Sequence, residues 1–221
     1  MNDLKTFNAA ALKSVFPTEA DNARNAQASL ADGEQTHRRK VDRRRFIELE
    51  KAGTAADTIG TLPTPGEIIH GVMTGSFHGF SFVRAVLKLA APATITRLHI
   101  ATLGFNAQNT RELFELIDAG KIGHVEFIAS TYFKSLDPDI FENLHAGLAS
   151  RGSRCVICRS HAKLLLFEMT DARAFVWESS ANLRSCRNVE TFTLTDCHEL
   201  LAFHRAWMQE LADKTISEAR K

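Results

Sequence analysis

At 221 residues the chain is long enough for one sizeable α/β domain, or one ordinary domain with a substantial extra segment, and short for two full domains. Its 27 Lys and Arg against 26 Asp and Glu leave a formal charge of +1, so no global field favours nucleic acid, an anionic membrane or an acidic substrate; any such preference must be local. With 44% hydrophobic and 24% charged residues, the composition excludes a wholly disordered, collagen-like or coiled-coil chain.

Residues 1 to about 62 are rich in Ala, Asn, Arg and Glu and poor in β-branched residues, which predicts an N-terminal helical arm. Within it HRRKVDRRRF, residues 37–46, sets Arg38, Arg39, Lys40, Arg43, Arg44 and Arg45 around one acid, Asp42. At helical spacing this charge wraps most of the cylinder. It is either a solvated face balanced by Glu34, Glu48 and Glu50, or an arm for bidentate phosphate contact with nucleic acid. Little aromatic interleaving surrounds it, so base stacking on single strands is not indicated. GTAADTIGTLPTPG, residues 53–66, carries Gly, Thr and two prolines, which predicts an extended linker and a domain boundary near residue 62.

Residues 63–221 alternate between helix and strand periods. HGVMTGSFHGF reads as a turn before a helix. Residues 77–91 place Phe80, Val83, Val86, Leu87 and Ala90 on one helical face before Pro92, and residues 94–103 are β-branched and apolar enough for a buried strand. A helix over 109–120 stops at Gly120, a strand covers 124–130, and a helix over 137–152 opens with Asp137 and Pro138 and ends at Gly152. RCVIC is the next strand. SHAKLLLFEM and ARAFVWES, separated by Thr170 and Asp171, predict a β-hairpin. NVETFTLTD is a further strand and ELLAFHRAWMQELADK a closing amphipathic helix; Trp177, Trp207 and most of the fifteen phenylalanines read as core. The expected fold is α/β, with a mixed, mostly parallel sheet flanked by helices behind the N-terminal arm.

The residues that carry chemistry follow from this order. Positions two apart on a strand project from one face, so His161 and Lys163 are neighbours, and the hairpin returns Ser179, Ser180 and Asn182 beside them. An imidazole, an ammonium, a hydroxyl and an amide converging on one point make a pocket for a tetrahedral anion. The bland alternative is a surface strand with incidental polar residues. Cys155, Cys158 and His161 also form C-x2-C-x2-H, which invites zinc with Cys186, Cys197 or His198. Against that, the two thiols of an apolar strand at this spacing point to opposite faces.

HAKLLLFE followed by SSANLRSCRNVE resembles the signature of the phospholipase D superfamily, H-x-K-x4-D then G-S-x-N and a later glutamate. Glu168 stands in place of the aspartate and Ser179 in place of the glycine. The similarity in organisation extends over roughly residues 68–212. It implies that His161 attacks phosphorus, that Lys163, Ser180 and Asn182 hold the nonbridging oxygens, that Glu190 orients the imidazole, and that Glu168 supports them from outside. It also implies metal-independent, cofactor-free phosphodiester hydrolysis. Because the chain holds a single H-x-K where such enzymes use two histidines, the resemblance implies a homodimer with the two His161 side chains facing each other. Nucleic acid, DNA or RNA, is the substrate favoured by the basic arm. A phospholipid phosphodiesterase and a catalytically weak binding module for nucleic acid or protein remain the alternatives.

No apolar run approaches the roughly 18–20 residues that span a bilayer. The N-terminus lacks the basic start and apolar stretch of a secretory signal, and four cysteines, all between Cys155 and Cys197, suit reduced thiols. The expected location is the cytoplasm.

Overall fold

The computed structural model describes residues 43–49, 55–73, 77–186 and 188–219. In chain order they form β1 (Arg43–Leu49), α1 (Ala55–Ile59), β2 (Glu67–Met73), β3 (Phe77–His78), α2 (Ser81–Ala90), β4 (Ile95–Thr102), α3 (Ala107–Asp118) and β5 (Ile122–Ser130). There follow α4 (Thr131–Leu136), α5 (Pro138–Ala149), β6 (Arg154–Cys158), β7 (Leu164–Met169), β8 (Ala174–Ser179), β9 (Ser185–Cys186), β10 (Glu190–Asp196) and α6 (His198–Ala219). Eight strands share one sheet in the order β1-β2-β10-β8-β7-β4-β5-β6, and β3 pairs with β9 apart from it.

Helices α2, α3, α5 and α6 fall where their signals predict, whereas α4 follows β5 in a stretch given no element. Asn106 accepts from the Asn109 N–H at 2.8 Å to cap α3, Pro138 sits in the first turn of α5, and Gly120 and Gly152, both at positive φ, end helical segments.

The sheet is mixed, but not mostly parallel as expected. β1 with β2, β4 with β5 and β5 with β6 are parallel, whereas β2 with β10, β10 with β8, β8 with β7 and β7 with β4 are antiparallel. Helical crossovers preserve strand direction in β4-α3-β5-α5-β6, and the short hairpin between β7 and β8 reverses it. The helix periodicity in the first half of the chain carries no information about the meander in the second.

Two readings of the N-terminal third are corrected. Residues 43–49 are a strand in register with β2, not part of a helical arm, so the sheet begins well before residue 62. An edge strand needs only backbone pairing on one side and tolerates charges on its outer positions, so Arg43-Arg44-Arg45 can sit where a central strand would reject them. The segment read as an extended linker contains α1, whose Ala55, Ala56 and Ile59 are buried beside α2. Arg38, Arg39 and Lys40 lie outside the described residues.

Alternation along each strand separates two cores. Ile69, Met73, Leu98, Leu165, Phe167, Trp177, Phe192 and Leu194 belong to the larger core under α1–α5, while Ala101, Ile128, Leu164, Leu166 and Val176 face α6 with Leu201, Met208 and Ala212. Cys155 falls in the first core and Cys158 in the second. Phe192 packs against Phe82 at 4.7 Å and lies across from Gly71, where a Cβ would come within 2.0 Å of its ring. The glycine makes room for the ring, and the Phe82–Trp177–Phe192 cluster anchors the ends of β8 and β10 that carry the site below.

Candidate active site

The site is assembled where the segment before β7 meets the ends of β8 and β10. His161 and Lys163 precede the regular strand, which starts at Leu164, so they are presented by extended chain leading into β7 and not by the strand itself. The Ser179 N–H donates to the Lys163 carbonyl at 3.2 Å, which ties that segment to the end of β8. Lys163 folds back on its own neighbour: Nζ is 2.9 Å from His161 Nδ1 and 2.9 Å from the His161 carbonyl oxygen. His161 is exposed, while Lys163 is only 9% exposed. Burial pushes the Lys163 ammonium below its usual range, and the charge of Glu190 works against that shift.

The serine turn is held by its own hydroxyls. Ser179 Oγ donates to the Thr191 carbonyl at 2.7 Å and accepts from the Ala181 N–H at 3.0 Å. No positive φ is found at Ser179, so a side chain is accommodated at this position. Ser180 Oγ donates to Glu190 Oε2 and accepts from the Thr191 N–H at 3.0 Å. The loop beyond is fixed from α3, where Asn109 Nδ2 donates to the Leu183 carbonyl at 2.6 Å.

His161, Lys163, Ser179 and Ser180 line an open cleft of about 560 Å³ together with Glu178, His204 and Trp207. The sequence-predicted residues therefore come together as one ammonium, one imidazole and two hydroxyls, with the Glu190 carboxylate behind Ser180. Asn182 is not among the lining residues; its Oδ1 is buried and has no hydrogen-bond partner among the described residues. Glu168 is elsewhere. It lies at the other end of β7, opposite Ala174, where it faces His99 Nε2 at 2.9 Å and Arg205 at 3.3 Å. It belongs to a polar cluster around the buried His99 beneath α6, not to this cleft.

Three cleft residues were missed by sequence reasoning. His204 and Trp207 are three apart on α6 and so share a face, and Trp207 was read as core. The Trp207 N–H donates to His204 Nδ1 at 3.0 Å, which leaves the His204 proton on Nε2 to meet Glu178 at 3.2 Å. That bond holds the Glu178 carboxyl below its usual range. Both nitrogens of His204 are engaged, so it positions Glu178. The i, i+3 histidine and tryptophan were the available signal.

The basic residues divide. Arg43 and Arg44 are exposed on β1. Arg45 is engaged in the fold, 2.6 Å from Glu67 and donating to the carbonyls of Ile59 and Thr61. Cys155 and Cys158 are not placed as a pair of ligands. Cys155 and Cys158 face opposite cores, burial pushes the Cys155 thiol up to about 12, and among the described residues no three His, Cys, Asp or Glu side chains cluster as for a metal.

No protein-family profile matches the sequence, and no curated protein does. Among solved structures the chain is similar to TrmBL2, an archaeal chromatin protein with a novel mode of DNA binding, at 15% identity and a TM-score of 0.46 over 93% of this chain and 65% of that one. It is also similar to Nuc from Salmonella typhimurium, a phospholipase D family member, at 14% identity and a TM-score of 0.46 over 66% of this chain and 95% of that one. Polyphosphate kinase from Porphyromonas gingivalis matches at 14% identity and a TM-score of 0.47, with 66% of this chain and 26% of that one covered. The chain thus spans less than two thirds of the first and about a quarter of the third. Among the described residues no helix is long and apolar enough to cross a membrane.

Proposed function

We propose that the chain is a phospholipase D-like phosphodiesterase that cleaves nucleic acid through a phosphohistidine, working as a homodimer. The observation that carries this reading is the convergence of His161, Lys163 and Ser180 in one cleft, with Glu190 bonded to Ser180. An ammonium and a hydroxyl beside an exposed imidazole suit a tetrahedral phosphate, and Asn182 is assigned as the amide that joins them when substrate enters. A nitrogen of His161 attacks phosphorus as the bond to the leaving oxygen breaks. His161 of the partner subunit gives that oxygen its proton, then takes one from water, and the resulting hydroxide displaces the imidazole from phosphorus. Lys163 and Ser180 hold the nonbridging oxygens throughout. The single H-x-K requires the second copy, and the exposure of His161 leaves its ring open to one. Location in the cytoplasm belongs to the same proposal.

The test is cleavage of labelled plasmid, oligodeoxynucleotide and RNA in excess chelator, with sedimentation to measure subunit number. Activity that resists chelator, disappears in His161→Ala and belongs to a dimer is the expected result. Binding without cleavage identifies a nucleic-acid-binding module instead, and cleavage of phospholipid alone identifies the lipid enzyme.

A further inference from the structure

The cleft does not end at Ser180. A second cavity of about 520 Å³ shares Glu178, Ser179 and Ser180 with it and continues across the sheet to the edge strand β1. Its floor is made by alternate residues of three strands that the register brings side by side: Thr191 and Thr193 on β10, His70 and Val72 on β2, and Phe46 on β1. α6 packs on β6, β7 and β8 of this face, and beyond them Val72 is 39% and Phe46 77% exposed.

Phe46 is not a stray surface residue. Its ring stacks on His70, with centroids 5.7 Å apart and planes within 20°. Arg44, two residues back along β1, is exposed on the same face. The sequence shows little aromatic interleaving around the basic run because His70 lies 24 residues from Phe46 and only strand pairing unites them. An aromatic platform on a sheet, bordered by hydroxyls and a guanidinium and opening into an anion cleft, is a stacking surface for unpaired bases.

We propose that this trough is the track for a single-stranded nucleic acid leaving the cleft, with an unpaired base stacked on Phe46 and Arg44 on a neighbouring phosphate. The inference rests on the phosphodiesterase reading for the position of the scissile phosphate. Glu178, at the junction of the two cavities, sets the orientation. Its carboxylate repels a phosphate but accepts from base amino groups, so bases point to the floor and the backbone follows the rim. A duplex has no free base face for Phe46, so the trough selects single strands.

The test uses the full chain carrying His161→Ala, which removes cleavage, and a single-stranded oligodeoxynucleotide with one 2-aminopurine. Binding quenches the 2-aminopurine; Phe46→Ala abolishes the quench and weakens binding about tenfold or more. Phe46→Trp preserves both, and Phe46→Leu, which keeps apolar area without a π-face, behaves like alanine. Arg44→Gln flattens the dependence of affinity on salt by about one phosphate contact. Parental binding by Phe46→Ala or Phe46→Leu overturns the proposal, as does a change of subunit number in Phe46→Ala, which would make this face an interface between copies. The two readings separate cleanly. His161-dependent cleavage with Phe46-independent binding removes the track alone, and Phe46-dependent binding by a wild-type chain that never cleaves removes the catalysis alone.

Discussion

The side chain of Lys163 caps Nδ1 of His161 at 2.9 Å. An ammonium has only donors, so the imidazole accepts at Nδ1 and its proton sits on Nε2. In that form Nε2–H is a donor, and the lone pair available to attack phosphorus is the one on Nδ1 that the ammonium covers. An anion in the cleft competes for the ammonium and frees the Nδ1 lone pair, which couples substrate arrival to the ring's availability for attack. In ¹⁵N spectra of the wild type, His161 is expected as the Nε2-protonated tautomer, and tungstate shifts its Nδ1 resonance. Lys163→Met erases the tautomer preference and lowers kcat by about 10²- to 10³-fold. Equal tautomer populations in the wild type would contradict the coupling.

Glu190 opposes the effect of burial on Lys163. Burial pushes the ammonium's pKa down and the nearby carboxylate pulls it back, so activity that needs the charged lysine falls as pH rises through that lowered value. Glu190→Gln removes the compensating charge. The alkaline limb of the pH–rate profile is then expected to move to lower pH, whereas Ser180→Ala leaves the limb in place while lowering the rate. An unmoved limb in Glu190→Gln sinks this account.

Much of the fold was legible because helices and strands announce themselves by period. α2, β4, α3, β5, α5, β6 and the β7–β8 hairpin stand where alternation and turn residues put them, while α4 went unread. β1 was not legible, since Arg43-Arg44-Arg45 is a run of like residues with no period and becomes a strand only through pairing with β2. The candidate cleft was legible as a set of residue types and less so as a set of contacts. His161, Lys163 and Ser180 meet, but a one-dimensional pattern could not tell that Glu168 would be carried to His99 at the far end of β7. Nor could it bring His204 and Trp207 over the cleft, because they arrive on a helix about forty residues downstream by packing alone.

Asn182 holds a buried amide oxygen without a partner among the described residues. An unpaired buried acceptor costs about 1–3 kcal/mol, so the fold gains nothing from this group as it stands. Asn182→Ala is therefore expected to unfold at the same urea concentration as wild type, or a higher one, while cleavage falls about 10²-fold. Parallel loss of stability and activity would mark Asn182 as a residue of the fold and remove it from the site.

Away from the cleft, His99 is expected to set the acid limb of stability. His99 is 3% exposed beneath α6, with Nε2 2.9 Å from Glu168, and Glu126 and Arg97 nearby. Burial pushes its pKa below the ordinary 6.5, and the two carboxylates offset this only in part. The unfolded chain therefore takes up a proton before the folded one does, so stability is lost as pH falls from 6.5 toward the lowered folded value. Glu168, Glu126 and Glu178 are all held below their ordinary 4.5, so their contributions remain intact in that window and are lost only in stronger acid. Urea midpoints of the wild type are expected to drop between about pH 7.5 and about pH 5.5. His99→Gln keeps a donor for Glu168 and cannot titrate, so its drop is smaller, even though losing the ring costs about 1 kcal/mol or more at the higher pH. An identical drop in both proteins would show that His99 does not set the acid limb.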